Sequence, residues 1–105
     1  MINLKNKKVL ITGASGGIGK SIVRKFVSLE ANVLGTGTKD EKLNILKKEN
    51  PSIKTKKFDI SQHSKIEEFI EQVSSELGGL DILINNAGIN VDTLSLRMKD
   101  EEWKK

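Results

Sequence analysis

The strongest constraint on this chain is a glycine cluster. Thr12-Gly13-Ala14-Ser15-Gly16-Gly17-Ile18-Gly19 joins an apolar run, Lys8 to Thr12, to a segment of helical periodicity. A short apolar run that ends in glycines suits a strand buried on both faces, as in a parallel sheet. From Gly17 onward, Ile18, Ile22, Val23, Phe26 and Val27 fall at helical spacing, and Lys20, Ser21, Arg24 and Lys25 fall between them. A glycine turn in this setting has a specific use. The N-terminus of a helix presents free backbone N–H groups and a partial positive charge, so it attracts phosphate. Glycines allow a sharp turn and let the backbone approach a pyrophosphate without an intervening Cβ. A late glycine, Gly19, lets the helix pack close to the strand. The alternative is a plain glycine-rich turn with no ligand, and the strand–turn–helix context favours the phosphate site.

The rest of the chain repeats the alternation. Asn32 to Gly35 reads as a second strand, followed by a small-residue loop of Gly35, Thr36, Gly37 and Thr38. Asp40 is placed to cap a helix that carries Leu43 and Leu46 and ends before Asn50-Pro51. Ile53 to Phe58 makes a third, lysine-rich strand. Ser64, with Glu67 as the other half of a capping box, predicts the start of the next helix. The apolar face of that helix is Ile66, Phe69, Ile70, Val73 and Leu77, and Gly78-Gly79 ends it. Leu80 to Ile84 is a fourth strand. A polar loop leads from Asn85-Asn86-Ala87-Gly88 to Asp100, where Asp, Glu and Glu open another helix. Regular β–α alternation predicts an α/β fold, a Rossmann-like doubly wound parallel sheet with right-handed crossovers. No linker marks a second domain, so residues 1–105 form part of a single dinucleotide-binding domain.

Composition removes competing classes. The chain has no cysteine, which excludes a disulfide scaffold, a thiolate metal site and a cysteine nucleophile. Its net charge of +4 comes from scattered lysines without interleaved aromatics, which argues against a nucleic-acid surface. No segment reaches membrane-spanning length, and the first residues lack a signal-peptide core. The reading is a cytoplasmic protein without nucleic-acid or membrane partners. The single histidine, His63, lacks clustered partners and is expected at the surface rather than in a metal site or triad.

The glycine spacing, Gly13, Gly17 and Gly19 after Thr12, departs from the usual Gly-x-Gly-x-x-Gly. It resembles the short-chain dehydrogenase/reductase family, as does Asn85-Asn86-Ala87-Gly88 after the fourth strand. Gly35 to Thr38, and Leu96-Arg97-Met98-Lys99-Asp100-Glu101-Glu102-Trp103, look more narrowly like the beta-ketoacyl-[acyl-carrier-protein] reductases of fatty-acid synthesis. The resemblance covers the entire chain and implies a sheet order beginning 3-2-1-4, cut short after the fourth strand. By that match, Gly13, Ala14, Ser15, Gly16, Gly17 and Ile18 cradle the pyrophosphate and adjacent ribose. Asp59 and Ile60 flank the adenine, although Asp59 also reads as an ordinary strand-end residue. Asn86, Ala87 and Gly88 line the nicotinamide-ribose side, and the asparagine side chains tie adjacent strands together.

Cofactor choice follows from charge. An NAD site usually has an acid near the end of the second strand to accept from the ribose 2′-OH. Here no acid appears there before Asp40, while Thr38 can donate to a 2′-phosphate and Lys39 can neutralise it. The expected cofactor is NADP (NADPH) rather than NAD. Relatives often carry a basic residue in the glycine turn, where this chain has Gly16.

The family implies a substrate, an acyl-carrier-protein thioester reduced from 3-oxoacyl to 3-hydroxyacyl, and a homotetramer at full length. Its catalysis uses an Asn, a Ser and a Tyr-x-x-x-Lys pair, with the Tyr as general acid. The chain contains no tyrosine. The expectation is therefore the N-terminal, cofactor-binding portion of a reductase, inactive alone, with no catalytic residue of its own. Another short-chain reductase and a non-catalytic nucleotide-binding module are the alternatives. Leu96, Met98 and Trp103 are read as packing residues. A fourth strand with an open apolar edge would leave the isolated chain marginally folded or self-associated.

Overall fold

The computed structural model of the chain describes residues 3–59, 62–86 and 95–98. Strand β1 (Lys8–Ile11) leads into helix α1 (Gly17–Ser28), β2 (Asn32–Gly37), α2 (Asp40–Glu49) and β3 (Lys54–Lys57). A 3₁₀ turn at His63–Lys65 then precedes α3 (Ile66–Leu77), β4 (Ile82–Asn85) and β5 (Ser95–Met98). The sheet order is β3-β2-β1-β4-β5. The first four strands in that order are mutually parallel, so their carboxyl ends share one edge of the sheet.

Alternation along the strands divides the core between the two faces. Val9 and Ile11 of β1 join Val33, Ile82 and Ile84 on one face, where Val23 of α1 and Leu46 of α2 cover them. Leu10 and Leu34 point the other way and pack with Phe69 and Val73 of α3 and with Leu80. Phe58 stacks on Phe69 at a centroid distance of 4.0 Å, extending that second layer beyond β3. Each fully buried Leu, Ile or Val contributes about 1.5–3 kcal/mol through burial.

The structure moves several boundaries. β2 continues past Gly35 through Thr36 and Gly37, which the sequence assigned to a loop. The reason is close packing. A Cβ at Gly35 would lie 2.8 Å from the Ala14 Cβ, and one at Gly37 would lie 2.9 Å from Ser15 Oγ. Glycine is what allows β2 to run beneath the first turn. Asp40 is the first residue of α2 rather than its cap; Lys39 takes the cap position, with no side-chain cap hydrogen bond. The capping box at Ser64 and Glu67 is not formed, because the 3₁₀ turn carries Ser64 and α3 starts at Ile66 behind Lys65. The end of α3 is as expected, with Gly78 left-handed at φ 80°. The third and fourth strands are shifted or shortened at their ends, to Lys54–Lys57 and Ile82–Asn85.

The largest difference concerns β4. Its outer edge is not open: β5 pairs along it in antiparallel register, with Ile84 opposite Leu96 and Asn85 opposite Ser95. Those backbone groups would otherwise need water or another chain, and a segment read as loop, including Leu96 and Met98, supplies the partners as a strand. The helix expected from Asp100, with Trp103, lies outside the described residues, and so does the side chain of His63.

Candidate functional site

The parallel strands bring the starts of four connections to one edge of the sheet: the glycine turn after β1, Thr38-Lys39 after β2, Phe58-Asp59 after β3, and Asn86 after β4. The glycine turn is held by backbone. Gly13 adopts φ 61°, in the region that favours glycine. The Ala14 N–H donates to the Thr36 carbonyl at 2.8 Å, anchoring the turn to β2. Gly19 is required by contact, because a Cβ there would fall 2.0 Å from the Gly13 carbonyl oxygen. The start of α1 therefore presses directly against the turn that leads into it.

Exposure divides the turn by role. Ala14 is buried and Ser15 half-buried, whereas Gly16, Gly17 and Ile18 are exposed. Ile18 leaves the apolar stripe of its helix and stands 41% exposed, although helical spacing groups it with the core residues. The α1 N-terminus has no side-chain cap, so its first N–H groups are available to an anionic ligand. A Cβ at Gly17 would meet nothing within 4 Å. The surface here is open backbone, which suits pyrophosphate oxygens.

Thr12 organises the floor of the site. Its backbone N–H donates to the Ile84 carbonyl at 3.0 Å. Its hydroxyl accepts from the Asn86 N–H at 2.9 Å and lies 3.1 Å from Asn85 Oδ1. Asn86 Nδ2 donates to the Gly13 carbonyl at 3.3 Å. The asparagines thus tie β4 to the β1 turn, the structural role expected for them. Ala87 and Gly88 lie outside the described residues, as does Ile60. Asp59 is exposed just past β3, and its carbonyl accepts from the Gln62 N–H at 3.0 Å.

Thr38 and Lys39 line a cleft of about 450 Å³ together with Asp40, Glu41, Lys42 and Lys57. Four of these residues, Asp40, Glu41, Lys42 and Lys57, escaped the sequence reading as cleft residues. Asp40 is read there as a helix cap and Lys57 as one lysine of a lysine-rich strand. Alternation within Lys54-Thr55-Lys56-Lys57 separates the lysines by face, but its direction depends on the register with β2. Among the described residues, no group of three or more His, Cys, Asp or Glu side chains could hold a metal ion.

Comparison with known proteins agrees with this geometry. The family model described as short chain dehydrogenase matches residues 7–105. The 3-oxoacyl-[acyl-carrier-protein] reductase FabG of Escherichia coli (strain K12) is 38% identical over 103 residues, covering 97% of this chain and 42% of the relative. Nodulation protein G of Rhizobium sp. (strain N33) is 39% identical over 104 residues, covering 98% of this chain and 42% of the relative. A short chain dehydrogenase from Bacillus anthracis superposes with TM-score 0.72 at 40% identity, over 80% of this chain and 35% of its own. A short-chain type dehydrogenase/reductase from Mycobacterium marinum gives 0.76 at 32% identity, over 83% of this chain and 37% of its own. The chain spans about two-fifths of the length of the curated relatives it matches. With the family model covering nearly all of it and the sheet order as that resemblance implied, the chain belongs to the short-chain dehydrogenase/reductase family.

Proposed function

We propose that this chain is the cofactor-binding portion of an NADPH-dependent reductase that converts 3-oxoacyl-[acyl-carrier-protein] to the 3-hydroxyacyl thioester in fatty-acid synthesis. The observation that carries the reading is the glycine turn: Gly13 at positive φ, Gly19 against the Gly13 carbonyl, and an uncapped α1 N-terminus beside open backbone. When bound, the nicotinamide supplies the hydride for the carbonyl carbon. The chain's own residues bind and orient. Gly13 to Ile18 hold the pyrophosphate and ribose, Asp59 and Ile60 flank the adenine, and Thr38 donates to the 2′-phosphate. Asn86, Ala87 and Gly88 border the nicotinamide-ribose end.

The proton for the new alcohol must come from a positioned acid. The chain has no tyrosine for that task, so by this reading it binds cofactor without turning over. The acyl-carrier-protein substrate, a tetrameric assembly and a cytoplasmic setting belong to the same proposal. Among the described residues no helix is long and apolar enough to cross a membrane. A second reading is a reductase for another substrate: the two solved structures described above are named only as short-chain dehydrogenases, with no acyl-carrier-protein in their names.

Titration of the 105-residue chain with NADPH and NADH, followed by calorimetry, tests the proposal. Saturable binding is expected. Gly17→Asp has room for its side chain and should weaken both dinucleotides about tenfold by repelling the pyrophosphate, with the fold retained. If neither dinucleotide binds saturably to the folded chain, the reading is wrong.

A further inference from the structure

We propose that Lys57, on β3, acts beside Lys39 as a cation that selects the 2′-phosphorylated dinucleotide in this chain. This inference rests on the cofactor reading above and adds a residue to it. Lys57 is the register partner of Gly37 in the parallel β2–β3 ladder. Register partners in a sheet direct their side chains to the same face. The Cβ that Gly37 lacks would meet Ser15 Oγ at 2.9 Å and Leu43 Cδ2 at 3.3 Å. That face is therefore the one shared by the glycine turn and α2, and Lys57 stands on it at the strand's carboxyl end.

The other two lysines of β3 serve elsewhere. Lys56 Nζ pairs with Glu76 Oε2 at 2.8 Å, and Lys54 Nζ donates to the Glu76 carbonyl at 3.2 Å, both toward α3. Lys57 Nζ instead lies 3.7 Å from Asp40 Oδ2, at the first residue of α2. Both residues line the cleft that contains Thr38 and Lys39.

The glycine turn explains why such a cation is needed. Its exposed positions, Gly16, Gly17 and Ile18, carry no charge. Backbone N–H groups attract the pyrophosphate that both dinucleotides share, so they do not discriminate between them. Discrimination requires charge where the dinucleotides differ. Without a phosphate, the Asp40 carboxylate keeps the Lys57 ammonium at the cleft. A phosphate carries about −1.5 to −2 charges and three acceptor oxygens, so it displaces a single exposed carboxylate from the ammonium. A neutral 2′-hydroxyl does not.

The test is the affinity of the full chain for NADPH and for NADH, measured on wild type, Lys57→Gln and Asp40→Asn at low and moderate salt. Lys57→Gln should weaken NADPH about fivefold and leave NADH within about twofold, the scale of one exposed charge contact. Asp40→Asn removes the competing carboxylate and should tighten NADPH about twofold to threefold. The preference for NADPH should shrink as salt rises. Equal losses for both dinucleotides, or no loss for either, would overturn the role of Lys57 while leaving the cofactor reading intact. Failure of the wild-type chain to bind either dinucleotide would overturn both.

Discussion

The loops after β1 and β2 sit side by side and are built on opposite principles. The first is fixed by backbone: Gly13 at positive φ, the Ala14 N–H on Thr36, and Gly19 against the Gly13 carbonyl. The second presents exposed side chains, Thr38 and Lys39, with Asp40 at the start of α2 and Lys57 reaching in from the neighbouring strand. Backbone in close contact cannot be altered one residue at a time without disturbing the fold, whereas exposed side chains can. On the cofactor reading proposed above, the chemistry common to all dinucleotides belongs in the first loop, and the chemistry that distinguishes them belongs in the second.

Substitutions can break or sharpen this contrast. The largest effect is expected from Gly19→Val. Its Cβ would meet the Gly13 carbonyl oxygen at 2.0 Å and the Ala14 Cα at 2.8 Å, and backbone atoms cannot rotate away. A loss of about 3 kcal/mol or more is expected, seen as collapse of the thermal transition. A folded Gly19→Val chain with normal dinucleotide binding would mean that the first loop is far more plastic than described. Thr12→Val comes next. It removes the hydroxyl that accepts from the Asn86 N–H and lies beside Asn85 Oδ1, at a cost of about 1–3 kcal/mol, readable as a lower denaturant midpoint at constant slope. The smallest effect is expected from Thr38→Ala in the second loop, with stability changed by less than about 0.5 kcal/mol. A larger drop there would show that the second loop also carries the fold.

Much of this arrangement was legible in the chain. Apolar runs at β1 and β4 and the helical stripes of α1 and α3 fix the element order, and the glycine cluster marks the edge where the proposed phosphate site lies. What escaped depended on neighbours distant in sequence. Gly35 and Gly37 look like loop residues because glycine is a poor strand former. They belong to a strand because Ala14 and Ser15 lie on top of them. Ser64 and Glu67 have capping-box spacing, but a 3₁₀ turn intervenes and delays the helix. Lys57 is one of several lysines until the pairing with Gly37 fixes the face it occupies. Ser95–Met98 is too short for its periodicity to declare a strand, and its antiparallel partner in β4 lies outside that short pattern.

The strand β5 also changes how the sheet can assemble in time. Each parallel pairing joins segments separated by at least a helix, and β1 meets β4 only after α1, β2, α2, β3 and α3 have intervened. The antiparallel β4–β5 pair closes a short loop between Asn85 and Ser95. Loop closure grows costlier with the length of chain enclosed, and distant pairings slow folding. One margin of the sheet is thus zipped by a local event, while its centre waits on the longest search in the molecule.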